Sequence, residues 1–554
     1  MRRFVCTVLL LLCCLGGRAA SAAASCPSLT ASSADGLGGT VSTWTSGKTA
    51  HLFLPGCWDA GHIVLDFSGY DSLLIGDLSV TPGQTVALSG LLEQSLTVRD
   101  GVSGKALGTL QCHQGSELPA MFITVDAGGY GKLNRDQSLA LTEGSVVYRE
   151  ADGSVTYDGA LTQLKGRGNA TYSSEYKKKP YQLKLAGKVS LSGMGKGKTW
   201  ILLANATDTS LLRNQVTLEL SRAMGLPCTV GCQQTELYVN GEYRGLYLLT
   251  EKIQISKSRL NIRSLEDETQ ALLDAPASSY TRRVKNVSSV LSDMRWYDLP
   301  AEPEDITGGY LLVLEKPYRY RKNSTASGFQ ADGKLCVIIK EPTCASKAQV
   351  LYIGGLIADL QKALLSDSGV SSGTGKYYAD YLDLPSFAGK FLLEMAVKNF
   401  DFRSGSQYLY KDSDLRDGRL YAGPGWDYDL TFGSAATEPE GAYITRKAPN
   451  NLWYLLSRHE DFMALARSLY GDTLTPLLRV LLGEEAGEGS GLLSIRAYGE
   501  AIRASAGMNY VRWSVTSVAR ATNGHSGKDF DGGIDRMVSF LRQRVAWMDS
   551  YFAE

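Results

Sequence analysis

The chain has 554 residues, of which 44% are hydrophobic, and its 57 Lys and Arg residues balance its 57 Asp and Glu residues. This length predicts about two to four domains, and the apolar fraction is sufficient for a large core. The balanced charge excludes a global attraction to nucleic acid or to an anionic membrane, so any basic patch must be local.

The N-terminus has the pattern of a secretory signal peptide. Arg2 and Arg3 precede an apolar stretch over residues 5–15, and small Ala-rich residues follow. We therefore predict that residues 1–25 are removed on export and that the mature protein is secreted or lies at the cell surface. A membrane anchor is the alternative, but the stretch is short for a bilayer, and no later segment has about 18 continuous apolar residues. Cys26 could carry a lipid anchor, although the spacer before it is long for that modification.

The other cysteines leave two interpretations open. The pairs Cys57/Cys112, Cys228/Cys232 and Cys336/Cys344 could be disulfides in an oxidising compartment or buried thiols. The spacing in "PCTVGC", with no histidine nearby, argues against a zinc site.

Residues 26–118 are rich in Thr, Ser, Gly and Val, and their short alternating runs are interrupted by Gly and Pro. This pattern predicts a small all-β module, similar to a β-sandwich.

The strand and helix patterns of residues 119–554 predict an α+β domain, with a β-rich lobe over about 119–265 and a helical lobe over about 306–554. In the first lobe, Asn240-Gly241 separates two alternating runs and predicts a β-hairpin, and "DTSLLRNQVTLELSRAMG" predicts a helix that ends near Gly225. The polar residues 266–305 predict a linker. Helices are predicted over about 347–367, 377–400, 451–482, 491–507 and 530–551.

Three aspartates are the strongest candidates for chemistry. Asp401 follows a predicted helix, and Asp427 and Asp429 stand in "GPGWDYDLTFG" after a short hairpin. Mg²⁺ prefers oxygen ligands and retains waters, so one or two carboxylates together with phosphates are sufficient. In kinases one aspartate orients the acceptor hydroxyl, and another, after a short hairpin, holds Mg²⁺. Capping of strand ends or pairing with Arg is the structural alternative for Asp427 and Asp429.

Two lysines on a predicted strand could contact phosphates. "LKGRGNATYSSEYKKKPYQLKLAG" joins a glycine-containing turn to a strand that carries Lys179 and Lys184. Strand alternation places Lys184 opposite the apolar face, whereas Lys179 precedes Pro180, outside the alternation. Both remain candidates, and a solvated lysine face is the alternative. The basic and aromatic stretch 315–325 could bind an acidic protein or a glycan, or be a solvated loop.

The motifs together resemble the spore-coat protein H (CotH) kinase family. The stretches that carry the resemblance occur in order over about residues 119–550, namely "GRGNATY", "KKPYQLKL", "WILLANATDTSLLRNQVTLELSRAMG", "ELYVNGEYRGLYLLTEKI", "GGYLLVLEK" and "GPGWDYDLTFG". The resemblance implies an atypical protein-kinase-like domain with two lobes. It also implies transfer of phosphate from ATP, with Mg²⁺ or Mn²⁺, to Ser or Thr of serine-rich secreted or coat proteins.

The resemblance also implies roles for individual residues. Asp401 corresponds to the catalytic aspartate and Asp427 to the metal-binding aspartate, with Asp429 as a second ligand or a structural cap. Ser406 and Gln407 stand where a kinase catalytic loop has a metal-binding Asn. The remaining ATP-binding candidates are Arg167, Asn169, Lys179, Lys184 and Glu251, the last of which could instead pair with a lysine.

Two other classes of function remain open. The chain could be a non-catalytic cell-surface adhesin on a kinase-like scaffold, or, as a more distant alternative, a glycan hydrolase that uses paired carboxylates. The presence of both Asp401 and Asp427 favours the kinase.

Overall fold

The computed structural model describes residues 26–168, 170–287, 290–323, 325–331, 335–402, 405–435, 437–446 and 451–553. The predicted signal peptide and Asn169 lie outside these residues. The described chain is a mixed α+β protein with an all-β N-terminal region, as the sequence predicts.

The N-terminal region consists of two sheets packed face to face. Their strands are β1 (Leu29–Ser33), β2 (Val41–Ser42), β3 (Trp44–Ser46), β4 (Thr49–Leu54), β5 (Ile63–Phe67), β6 (Leu73–Ile75), β7 (Leu78–Val80), β8 (Gln84–Val86), β9 (Ser95–Asp100) and β10 (Ala106–Gln114). One sheet has the order β2-β1-β5-β8 and the other β3-β4-β10-β9-β6-β7. Alternating residues such as Leu29, Ile63 and Leu65 point inward and are fully buried, because successive side chains of a strand face opposite sides.

After this two-sheet module, the second β unit is one sheet that closes on itself; it is called the closed sheet below, and the sheet of the third β unit is called the third sheet. Its strands are β11 (Ala120–Thr124), β12 (Ala140–Leu141), β13 (Ser145–Arg149), β14 (Val155–Gly166), β15 (Tyr181–Val189), β16 (Gly197–Leu203), β17 (Cys232–Val239) and β18 (Glu242–Glu251). The order is β12-β14-β13-β11-β17-β18-β16-β15, and a further pairing of β14 with β15 completes the ring. The β17–β18 hairpin turns at Asn240 and Gly241, whose φ angles of 52° and 79° are both positive, as the Asn-Gly pair predicts.

Two helices accompany this sheet, α1 (Ala127–Leu133) and α2 (Arg213–Ala223). The second is the helix predicted from "SLLRNQVTLELSRAMG". It buries Val216 and Leu220 in the largest apolar core of the molecule.

The third sheet begins within residues 266–305, for which a polar linker was predicted. In place of a linker the structure has helix α3 (Leu265–Ala271) and strands β19 (Arg282–Lys285) and β20 (Leu291–Tyr297). Met294 and Trp296 of β20 are buried in the largest core, which holds the strand in place. The polar residues around this short apolar run hid its signal in the sequence.

The rest of this sheet consists of β21 (Tyr310–Glu315), β22 (Gly328–Ala331), β23 (Leu335–Glu341), β24 (Gln407–Lys411) and β25 (Leu420–Ala422). The order is β19-β20-β22-β23-β21-β24-β25. A short helix, α4 (Pro317–Lys322), follows β21.

Helices dominate only after residue 346, later than the start near residue 306 that was predicted for the helical lobe, because strands β21–β23 come first. They are α5 (Lys347–Leu365), α6 (Leu384–Val397), α7 (Leu452–Leu456), α8 (Glu460–Leu469), α9 (Thr475–Leu482), α10 (Ile495–Ala501), α11 (Arg503–Arg512), α12 (Val515–Ala521) and α13 (Phe530–Ala553). The predicted helix 451–482 is divided into α7, α8 and α9, with a π-helical turn at Tyr470–Leu474 between the last two. None of the helices in the described ranges is long and apolar enough to cross a membrane.

The N-terminal module shares its core with the rest of the chain. Phe122, Tyr238, Tyr243 and Met508, from β11, β17, β18 and α11, belong to the apolar cluster of the two N-terminal sheets. Phe53 of the module lies 4.8 Å from Tyr243, between ring centroids. Residues 26–118 are therefore packed closely against the remainder of the molecule.

The seven cysteines of the described chain are free thiols, which answers the question that the sequence left open.

Candidate active site

A cleft of about 660 Å³ lies where the closed sheet, the third sheet and the loop after β25 meet. Lys165 and Gln182, on paired strands β14 and β15, lie on one wall. Glu315 and Lys340 of the third sheet lie on another, and the three candidate aspartates Asp401, Asp427 and Asp429 all line the cleft.

Backbone turns bring Asp401 and Asp427 together. Helix α6 ends at Lys398, which has a left-handed φ of 48°, so the chain leaves the helix just before Asp401. The β24–β25 hairpin then returns the chain to Asp427, whose φ of 71° is unusual for a residue with a side chain. Such a conformation persists only where the surroundings hold it.

Asn399 and Ser406 are the residues that hold this arrangement. The buried Asn399 accepts a hydrogen bond from the backbone N–H of Asp401 (3.2 Å) and donates one to the backbone carbonyl of Asp427 (3.4 Å). The Ser406 hydroxyl donates to Oδ2 of Asp427 at 2.9 Å. One amide side chain therefore connects the two loops that carry the candidate catalytic and metal-binding aspartates.

Asp429 is a partly buried carboxylate that faces two like charges. Burial is the main cause that raises its pKa to about 7, and the charges of Asp427 and Asp401 add to this effect. The Thr207 hydroxyl donates to its Oδ2 at 3.1 Å, which acts in the opposite direction. Like charges at close range disfavour joint ionisation unless a cation intervenes.

Asp401 has a cation beside it. Nζ of Lys316 lies 2.9 Å from Oδ1 of Asp401, and both side chains are partly exposed. Lys316 is the residue directly before helix α4, so the basic stretch 315–325 reaches the cleft.

Other cations line the cleft near the carboxylates. The guanidinium of Arg167 lies 5.1 Å from the centre of the Trp426 ring. Lys340 projects from β23, and burial lowers its pKa, with a smaller contribution from the nearby Lys252. Burial likewise raises the pKa of Glu315, while Arg319 and Lys340 act to lower it.

A buried ion pair lies behind the cleft and supports the segment that carries Asp427 and Asp429. Asp208 and Arg213 are both fully buried and directly paired. Arg213 also donates from Nε to the carbonyl of Thr431 at 3.1 Å, and Asn214 accepts a hydrogen bond from the N–H of Tyr428 at 2.9 Å. The segment 205–214 therefore fixes the position of "WDYD", in addition to attaching its own helix to the sheet.

Several predicted residues lie outside the cleft. Lys179 is buried and its Nζ donates to the carbonyl of Ser173 at 2.6 Å, whereas Lys184 is exposed on β15. Glu251 accepts hydrogen bonds from the N–H groups of Gly195 (2.8 Å) and Gly231 (2.9 Å). Gln407 is buried, where it donates to the carbonyl of Phe402 and accepts from Nε1 of Trp453. In each case local hydrogen bonding or strand direction, which the residue type does not reveal, turns the side chain elsewhere.

The structure also brings in residues that sequence reasoning missed. Lys340 stands near the end of a buried strand, in "CVIIKEP", and Asn399 stands two residues before Asp401 in "KNFD". The isolated charge after an apolar run was a usable signal for Lys340. Nothing in the sequence indicated that Thr207 and Asn399 would contact the aspartate loops.

The donor set fits a hard divalent cation. Within the described ranges, no three His, Cys, Asp or Glu side chains form a group that could hold a metal by themselves. Asp427 with Asp429 or Ser406 nevertheless offers oxygen ligands of the kind that Mg²⁺ takes when phosphates and waters complete its shell. Burial, together with the like charges of Asp427 and Asp401, raises the pKa of Asp429, so a bound cation would relieve the repulsion within this group.

Comparison with known proteins identifies the family of the chain. A search of curated proteins found no match. The family model described as CotH kinase protein matches residues 164–548, which is more than half of the chain and includes every residue discussed above that lines the cleft. The chain therefore belongs to the CotH kinase protein family.

Proposed function

We propose that this protein is an exported, atypical, two-lobed protein kinase that transfers the γ-phosphate of ATP to Ser or Thr of secreted or surface proteins. The observation that carries the proposal is the convergence of Asp401, Asp427 and Asp429 in one cleft that also contains Arg167 and Lys340. Phosphoryl transfer needs positioned carboxylates for metal and acceptor, together with cations for the phosphates. Membership of the family supports the same reaction class.

Each group has a role that its position allows. Asp427, with Asp429 and the Ser406 hydroxyl, would hold Mg²⁺ or Mn²⁺, which when bound neutralises charge on the ATP phosphates. Arg167 and Lys340 line the same cleft and can bind phosphate oxygens. Trp426 and Tyr176 present aromatic rings to the cleft against which a base can stack.

Asp401 would orient the acceptor hydroxyl. The hydroxyl oxygen forms a bond to the γ-phosphorus, the bond from that phosphorus to the β–γ bridging oxygen breaks, and ADP leaves with the bridging oxygen. Asp401 accepts a hydrogen bond from the hydroxyl and takes its proton. Lys316 holds Oδ1 of Asp401, which fixes the position of the carboxylate.

The phosphate-binding lysine in this proposal differs from the sequence-based candidates. Lys179 and Lys184 do not line the cleft, whereas Lys165 and Lys340 do. Of these two we take Lys340, which lies near Glu315 in the wall of the cleft that the third sheet forms.

The test is transfer of labelled phosphate by the purified mature chain to serine-rich peptides and to itself, with Mg²⁺ or Mn²⁺. Asp427→Asn should weaken metal-dependent ATP binding and turnover together. Asp401→Asn should lower kcat by about two to four orders of magnitude with little change in ATP affinity. Asp367→Asn, at a side chain that is 96% exposed, is the matched control and should have no effect.

Equal rates for the parent and both cleft variants would refute the residue assignment. If the parent binds no Mg-ATP, the kinase is excluded and the non-catalytic adhesin becomes the better explanation.

A further inference from the structure

The basic segment that begins beside Asp401 is a rigid surface rather than a solvated loop. Tyr320 of α4 is fully buried, and its hydroxyl donates to the carbonyl of Asp293 at 2.7 Å. Arg295, itself nearly buried and paired with Asp293, donates to the carbonyls of Tyr320 (2.8 Å) and Asn323 (3.0 Å) at the end of the helix. One carbonyl of α4 and one directly after it therefore accept from the buried Arg295, which holds the end of the helix in place.

The cations of this segment form a row that leads out of the cleft. Lys316 contacts Asp401, and Arg319 lines the cleft 3.7 Å from Glu315. Lys322 is exposed and stands three residues beyond Arg319, so the two side chains lie on adjacent turns of one helix face. The exposed Tyr318 lies beside them, opposite the buried Tyr320.

The loop that carries Asp401 lies directly against this row. A Cβ placed on Gly405 would meet Oε2 of Glu315 at 3.2 Å, Nη1 of Arg319 at 3.6 Å and Cε of Lys316 at 3.7 Å. A chain that presents its hydroxyl to Asp401 must therefore pass close to Lys316 and Arg319. Lys316, Arg319, Arg321 and Lys322 oppose only Glu315 within residues 315–322, so the segment has an excess of positive charge.

We propose that the Lys316–Arg319–Lys322 row binds an anionic side chain of the acceptor protein, about three residues from the Ser or Thr that is phosphorylated. The proposal rests on the kinase function proposed above and specifies its substrate class. The six steps along the chain from Lys316 to Lys322 cover about 9 Å along a helix, and an extended acceptor covers that distance in about three residues at roughly 3.3 Å each. The anion is a carboxylate, or a phosphoserine that an earlier transfer has produced.

The experiment uses the full mature chain and single-serine peptides with glutamate, phosphoserine, alanine or lysine three residues before or after the serine. We expect kcat/KM to be at least about tenfold higher for a glutamate or phosphoserine peptide than for its lysine counterpart, which corresponds to one charge-assisted contact. The glutamate and phosphoserine arms show which anion is preferred. Equal kcat/KM for the glutamate, phosphoserine and lysine peptides would overturn the proposal.

Two exposed positions on α4 give a matched pair of variants. Lys322→Glu should remove the preference for anionic peptides and leave the KM for ATP unchanged. Arg321→Glu makes the same charge change one residue away, on the helix flank opposite Arg319, and should retain the preference. If both variants lose the preference for anionic peptides equally, the overall positive charge of the segment attracts the peptide rather than the row, which also overturns the proposal.

Binding of peptides that have alanine in place of the serine, measured by fluorescence anisotropy without ATP, separates this inference from the proposed function. Preferential binding of the anionic peptide that Lys322→Glu abolishes would support the row even if no phosphate is transferred. Transfer to all peptides without any preference in binding would support the kinase and refute the row.

Discussion

Asp208 and Asp429 are two carboxylates with different surroundings: Asp208 has a cation as its partner, whereas Asp429 faces other carboxylates. Asp208 follows Thr207 in the chain, and the Thr207 hydroxyl donates to Asp429. Asp208 is fully buried with Arg213 as its partner. Asp429 has no ion pair within the described chain and faces Asp427 and Asp401 instead. A carboxylate that the chain itself neutralises supports the fold, whereas Asp429, which faces like charges without an ion pair of its own in the described chain, lies where a bound cation would relieve the repulsion.

Glu236 is a third case, away from the cleft. It is fully buried, and it accepts hydrogen bonds from the N–H of Gly56 (3.0 Å) and the hydroxyl of Ser505 (2.7 Å). These two donors belong to the N-terminal module and to helix α11, so one side chain on β17 joins three parts of the molecule. Burial raises its pKa to about 8.

The largest loss of stability is expected when the cation beside Asp208 is removed. Arg213→Met leaves an unpaired buried carboxylate and should lower the free energy of unfolding by about 3–5 kcal/mol. Urea unfolding measures the change. Arg283→Met, which removes a cation from an exposed pair with Asp298, is the control and should cost at most about 1 kcal/mol. A similar small loss in both variants would contradict the structural role of Asp208.

The three aspartates that the sequence singles out come together in the cleft, whereas Lys179 and Lys184 do not line it, and the reason is the range of the interactions. Asp401 and Asp427 are placed by local features, a helix end and a short hairpin, that leave a mark in the sequence. Lys340 and Lys316 reach the cleft only because the third sheet lies next to the closed sheet, and that contact depends on packing over long separations. The same limit hid β20, whose Trp296 is identified as core only by its partners.

Local hydrogen bonding explains why two of the predicted site residues lie outside the cleft. Gln407 has the right position in the chain for a metal ligand, but Phe402 and Trp453 engage its amide. Lys179 follows the glycine-containing turn as a phosphate-binding lysine would, but its ammonium contacts the carbonyls of Tyr172 and Ser173. Side-chain direction of this kind is decided by neighbours that only the folded chain supplies.

A smaller change in stability, which depends on pH, is expected from Glu236. Its pKa rises from 4.5 to about 8 on folding, so its contribution to stability is fully present below pH 4.5 and is lost as the pH rises through 8. Glu236→Gln keeps an acceptor and does not titrate. Between pH 5 and pH 8.5, the stability of the parent should fall by at least about 2 kcal/mol relative to the variant.

Other groups near Glu236 do not confound this measurement. Burial raises the pKa of Cys57 to about 12 and places the pKa values of Tyr238 and Tyr243 well above 10, so all three stay neutral over this range. Urea unfolding of both proteins at the two pH values provides the comparison. Parallel pH profiles would show that Glu236 does not titrate in the folded protein.

The smallest change in stability is expected at Asp429. This change is also the most direct test of the contrast between Asp208 and Asp429. Asp429→Asn keeps an oxygen that accepts from Thr207 and removes a charge that Asp427 and Asp401 repel. The free energy of unfolding without metal should therefore rise by up to about 1 kcal/mol, because functional carboxylates are often held at the expense of stability.

The same variant should bind Mg-ATP about tenfold more weakly, since it has lost one charged oxygen of the proposed metal site. Thermal unfolding with and without Mg-ATP measures both effects on one sample. A variant that is less stable than the parent without metal, and equally stabilised by Mg-ATP, would place Asp429 with Asp208 among the structural carboxylates.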